Sequence, residues 1–101
     1  MKYIIDAYAW LDYLEGGSKG EKVNNILNSG EEIYSLVITI AEVVSKVKKQ
    51  NKDYEVAYNA ILKRSKIIEA TPRIAKEAAL IYVETRKKSP KFGIVDALVL
   101  S

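Results

Sequence analysis

Apolar and polar positions fall along this chain in blocks, each with the length and period of one element. Tyr3-Ile4-Ile5 is a short continuous apolar run, and Met1–Ile5 is read as a buried strand ending at Asp6. Tyr8–Leu14 follows as a short helix closed by Glu15-Gly16-Gly17-Ser18. Lys22–Asn28 continues as a helix with Val23, Ile26 and Leu27 on one face, stopped by Ser29-Gly30. Ile33–Val37 is β-branched and aromatic enough for a second strand.

The second half repeats the alternation. Thr39-Ile40-Ala41-Glu42 has the spacing of a capping box, which predicts a helix over about Ile40–Lys49, broken at Gln50-Asn51-Lys52-Asp53. Tyr54–Arg64 is an amphipathic helix with Val56, Ala57, Ala60 and Ile61 at helical spacing. Lys66–Ala70 is a third strand. Thr71-Pro72 places a cap before a proline at the first helical position, opening a helix to about Arg86 with Ala75, Ala79, Tyr82 and Val83 inward. Ser89–Gly93 reads as a loop, and Ile94 onward as the start of a last helix. Strands alternating with helices predict an α/β fold on a parallel sheet, a single domain over residues 1–101.

Composition removes more chemistry than it adds. The chain has no His and no Cys, which excludes disulfides, a Ser-His-Asp triad and thiol catalysis, and leaves little for a structural zinc site. No Gly-rich phosphate loop is present. Catalysis would have to use carboxylates, hydroxyls, lysines or a hard metal held by oxygen, which suits Mg²⁺ or Mn²⁺. No apolar run approaches the roughly 18–20 residues of a membrane span, and an acid at position 6 comes too early for a signal peptide. A cytoplasmic location is the expectation. A net charge of +3 permits a nucleic-acid partner without requiring one.

Against that background three acids stand out, because each lies in apolar company where a buried carboxylate costs several kcal/mol unless compensated. They are Asp6 after Tyr3-Ile4-Ile5, Glu42 inside Val37–Val44, and Asp96 inside Ile94–Leu100. Each also has a local explanation. Asp6 could be a helix N-cap, Glu42 the return arm of the capping box, and Asp96 a first-turn acid favoured by the helix dipole. Strand ends and helix starts share one edge of an α/β sheet, however, so the three could converge there.

These segments resemble a known family. Ile4-Ile5-Asp6-Ala7-Tyr8-Ala9-Trp10-Leu11-Asp12-Tyr13-Leu14, Thr39-Ile40-Ala41-Glu42-Val43 and Gly93-Ile94-Val95-Asp96-Ala97-Leu98 look like the first three acidic motifs of PIN domains, in order. Within that family the similarity is to the small VapC-like toxin ribonucleases. The resemblance implies a three-layer α/β/α fold with a parallel sheet. It also implies Mg²⁺- or Mn²⁺-dependent RNA cleavage, with Asp6, Glu42 and Asp96 as metal ligands. A cognate antitoxin and a homodimer or higher oligomer are implied as partners.

Two departures from the family pattern matter. Ala7 stands where the family usually has Ser or Thr. A further acidic motif of the Thr-Gly-Asp type has no counterpart before Ser101, so the last one or two strands of the usual sheet are expected to be missing. Their loss would leave the first strand as an open edge prone to self-association.

Substrate positioning would fall to basic residues near the cleft, with Lys46, Lys48 and Lys49 after Glu42, and Arg86, Lys87, Lys88 and Lys91 before Asp96. Lys46, Lys49, Arg86, Lys87 and Lys91 are the nucleic-acid candidates; solvated helix faces and dipole balance explain the same charges. Tyr8, Trp10 and Tyr13 lie close enough to Asp6 for one to stack on a base, although core packing is the commoner use. The rival readings are a non-catalytic PIN-like binding or oligomerisation module, inactive without the last acidic motif, and a plain structural domain whose acids are caps.

Overall fold

The computed structural model describes residues 2–17, 20–69, 71–88 and 94–96. In chain order the elements are β1 (Lys2–Ile5), α1 (Ala7–Leu14), α2 (Gly20–Leu27), β2 (Glu32–Leu36), α3 (Val37–Lys49), α4 (Tyr54–Arg64), β3 (Lys66–Ile68), α5 (Pro72–Lys88) and β4 (Ile94–Asp96). The sheet order is β3-β2-β1-β4. β1 and β2 pair in parallel with Tyr3 opposite Ile33, and β2 and β3 in parallel with Ser35 opposite Ile67. The fold is thus α/β, with helices packed on a four-strand sheet in which β1, β2 and β3 are parallel.

Alternation along the strands decides where the core sits. Ile5, Ile33 and Trp10 join Ala9, Val23, Val43, Val47, Ala57 and Ile61 in one buried cluster. One sheet face is therefore covered by side chains from α1, α2, α3 and α4. Ile4 points to the other face and is buried outside that cluster. α5 packs against β4.

Local chemistry explains most element ends. Asp53 caps α4, its Oδ1 accepting from the amides of Glu55 and Val56 at 3.0 and 3.2 Å. Thr71 Oγ1 accepts from the Ile74 amide at 3.2 Å, the cap expected ahead of Pro72. α3 ends with the Lys52 amide bonded to the Val47 carbonyl at 3.1 Å and the Asn51 amide to Lys48 at 3.0 Å. That double bond pattern needs a left-handed residue just past the helix, and Asn51 supplies it at φ 57°.

Four expectations are corrected. Ile94–Asp96 is a strand rather than the start of a helix, and it runs antiparallel to β1, with Ile94 opposite Ile5. Two β-branched residues suit a strand, and the unpaired side of β1 offers them hydrogen-bond partners. β1 is therefore interior to the sheet, and the open edge expected there does not exist. The capping box at Thr39 is also absent. α3 begins earlier, at Val37, with Leu36 in the N-cap position making no side-chain bond, and Thr39 is buried inside the helix. Finally, Val56 is exposed while Ala57 and Ile61 are buried, and on α5 Ala75, Ala79 and Val83 are exposed while Ile74 and Glu77 are partly covered. Helical period thus identified both helices and three of the four positions on α4, with Ala60 half-buried beside Ala57 and Ile61, but misplaced the inner face of α5, where the Tyr82 side chain lies outside the described residues.

Candidate active site

Parallel pairing sends the carboxyl ends of β1 and β2 to one edge of the sheet, the usual position for ligands in α/β folds. Asp6 follows β1 directly. Its backbone is extended, at φ −84° and ψ 176°, and its carboxylate Oδ1 accepts from the Ala9 amide at 2.9 Å as the N-cap of α1. The Asp6 carbonyl takes the Trp10 amide at 3.1 Å. These bonds orient a half-buried carboxylate at the edge.

Glu42 reaches the region by another route. α3 starts at the residue after β2, so its first turn occupies the same edge as Asp6. Glu42 is five residues further along, about 7.5 Å down the helix axis. It is exposed, whereas its neighbour Val43 is fully buried. Of the apolar company seen in the sequence, Val43 is buried and Ile40 and Val44 are half-buried, while Val37, Ile38, Ala41 and the carboxylate itself are exposed. Among the described residues no hydrogen bond or ion pair engages Glu42.

Asp96 lies elsewhere in the register than its expected helix start. Its backbone is opposite Tyr3, three residues before Asp6 along β1 and about 10 Å back from the edge by strand rise. Among the described residues no three His, Cys, Asp or Glu side chains are grouped so as to hold a metal ion. The structure brings Asp6 and the start of α3 together. The carboxylate at that edge is that of Asp6, an oxygen donor of the kind a hard divalent ion takes.

The basic candidates divide by position. Lys46 and Lys49 are exposed in the last turn of α3, and Arg86 and Lys87 lie in the last turns of α5. Lys91 lies outside the described residues. Of the aromatics near Asp6, Trp10 is fully buried and Tyr13 is half-buried with its ring edge-on to Trp10 at 5.9 Å. Both belong to the packing. Tyr8, in the first turn of α1, is 49% exposed.

Sequence reasoning missed Val37 and Ile38, which begin α3 at this edge and are 49% and 56% exposed. The β-branching of Val37 reads as the end of a strand, and the capping-box pattern at Thr39 moves the expected helix start to about Ile40, leaving Ile38 in neither. No helix among the described residues is long and apolar enough to cross a membrane.

No curated protein and no solved structure matches the chain. The PIN domain family does, over residues 3–101, from the first strand through all three acidic segments. PIN domains are generally nucleases that act on RNA and typically depend on divalent metals, in keeping with the absence of His and Cys and with a carboxylate held at the sheet edge. By that match and this architecture, the chain belongs to the PIN domain family.

Proposed function

We propose that this protein is a metal-dependent ribonuclease that hydrolyses RNA phosphodiester bonds, acting as the toxin of a VapC-like toxin-antitoxin pair in the cytoplasm. The observation that carries the reading is the Asp6 carboxylate, held by the Ala9 amide where β1 ends and beside the strand from which α3 starts. Asp6, Glu42 and Asp96 are the proposed ligands of Mg²⁺ or Mn²⁺. A hard divalent ion so held would polarise the phosphodiester and make its bound water acidic enough to attack at neutral pH.

The chain's own residues contribute position and charge. The cap bond fixes the Asp6 side chain before any ligand arrives, and Glu42 enters without first surrendering a bond among the described residues. Ala7 brings no hydroxyl to the edge and packs partly against the core. That substitution favours the rival reading of a non-catalytic PIN-like module. A cognate antitoxin and a homodimer complete the proposal.

Cleavage of a fluorescent single-stranded RNA in Mn²⁺, compared across Asp6→Asn, Glu42→Gln and Asp96→Asn, tests the reading. Turnover lost in all three variants supports it. No turnover by the unaltered protein, or turnover unaffected by the substitutions, favours the binding module.

A further inference from the structure

The last turn of α3 carries Lys46, Lys48 and Lys49, and they do not share a direction. Lys48 Nζ lies 5.8 Å from the centroid of the Tyr54 ring, so it turns toward α4. Lys46 and Lys49 follow Glu42 at four and seven residues, spacings that return to one helix face. All three of these side chains are exposed, on a flank of the helix roughly a third of a turn round from the core residues Val43 and Val47. Glu42 and Lys46 have the spacing of an intrahelical ion pair, yet no such pair is among the salt bridges of the described residues. The result is a single row of charges, an acid nearest the sheet edge and two cations beyond it.

The row has the dimensions of one nucleic-acid strand. Helical rise places Lys46 about 6 Å and Lys49 about 10 Å beyond Glu42. Those intervals correspond to roughly two and three stacked nucleotides at about 3.4 Å each. Lysine ammonium groups act on phosphates as point charges and read no base. We infer that single-stranded RNA leaving the carboxylate edge runs along this exposed flank of α3, with successive phosphates at Lys46 and Lys49. The inference rests on the ribonuclease reading and adds to it the direction of the bound strand.

A plainer account exists for the same lysines. Cations in a last helical turn balance the macrodipole wherever they point. That account makes Lys48 equivalent to its neighbours, whereas the RNA path does not, so Lys48 is the control.

The test measures binding of a fluorescent poly-uridine oligonucleotide in EDTA, over a salt series, by the whole chain and by Lys46→Gln/Lys49→Gln and Lys48→Gln. Urea melts of each variant accompany the titrations. The expected result is weaker binding by the double variant, with the slope of log affinity against log salt reduced by about 1.4, near 0.7 per lost phosphate contact. Lys48→Gln keeps the original slope. Equal slopes for the double variant and the unaltered protein overturn the path while leaving RNA cleavage intact as a separate observation. Equal losses of binding for Lys48→Gln and the double variant also overturn it, in favour of dipole balance. If the unaltered protein neither binds nor cleaves RNA, the ribonuclease reading falls first and the path with it.

Discussion

The indole N–H of Trp10 donates to the hydroxyl of Ser35 at 2.9 Å, and neither residue has any solvent exposure. Ser35 Oγ lies 2.8 Å from Ser65 Oγ, which donates to the Ile61 carbonyl at 2.7 Å. Because the Ser65 proton is committed to Ile61, the Ser35 proton goes to Ser65. One directed chain of bonds thus joins α1, β2 and the end of α4. It lets the largest buried side chain enter the core with its polar atom satisfied.

Ser35→Ala should cost about 1–3 kcal/mol, because it leaves a buried indole donor without an acceptor. Urea unfolding followed by Trp10 fluorescence measures the loss. A change within about 0.5 kcal/mol, typical of an unengaged surface position, would show that the bond contributes nothing.

Asp6 is given two roles, and two substitutions separate them. Asn is as good an N-cap as Asp, whereas Ala removes the cap at a cost of about 0.5–2 kcal/mol. Asp6→Asn should therefore melt close to the unaltered protein, and Asp6→Ala should be weaker by about 1 kcal/mol. Both should abolish Mn²⁺-dependent RNA cleavage. Retained cleavage by Asp6→Ala would remove Asp6 from the site and leave it a cap only.

Gly17 marks a tight approach behind α1. A Cβ at that position would run into Oδ1 of Asp12, whose other oxygen is buried without a hydrogen-bond partner. The Gly17 amide also bonds the Asp12 carbonyl at 2.9 Å, so the backbone has little room to withdraw. Gly17→Ala is expected to destabilise by about 1–3 kcal/mol through overpacking. Adding Asp12→Ala removes the obstacle, and the pair should couple by about 0.5–3 kcal/mol in a double-mutant cycle. Strictly additive losses would place the strain elsewhere.

Tyr34 gives a pH dependence. Desolvation in the sheet raises its phenol pKa above 10.0, helped by the negative charge of Glu32, to which Tyr34 Oη donates at 3.3 Å. A raised pKa means that the folded state holds the proton more tightly than the unfolded chain. The associated stability is complete below the unfolded value and fades as pH rises through the folded one, so the window lies above about pH 10. Tyr34→Phe should flatten that alkaline loss in a series of urea melts. Identical pH profiles for the two proteins would count against it.

Much of the architecture was legible because short-range chemistry specifies it. Asp6 follows an apolar run and caps the next helix, Asp53 caps α4, and Thr71 with Pro72 starts α5. In each case the signal and the bond lie within three residues of one another. Hydrophobic period likewise separated strands from helices through residue 88, and the order of the three acids pointed to the family that the chain matches.

What the linear pattern left open depends on partners distant in sequence. Ile94–Asp96 became a strand because β1 had an unpaired side. Val37 joined α3 although its β-branching suits a strand, and Val56 faces solvent although it is as apolar as Ala57, which does not. Glu42 shows the same limit in one residue, since Val43 beside it turns into the core while it remains outside. A periodic pattern says that a helix has a buried face. Which way that face turns, and which carboxylates reach a common edge, follows from sheet register and close packing among segments tens of residues apart.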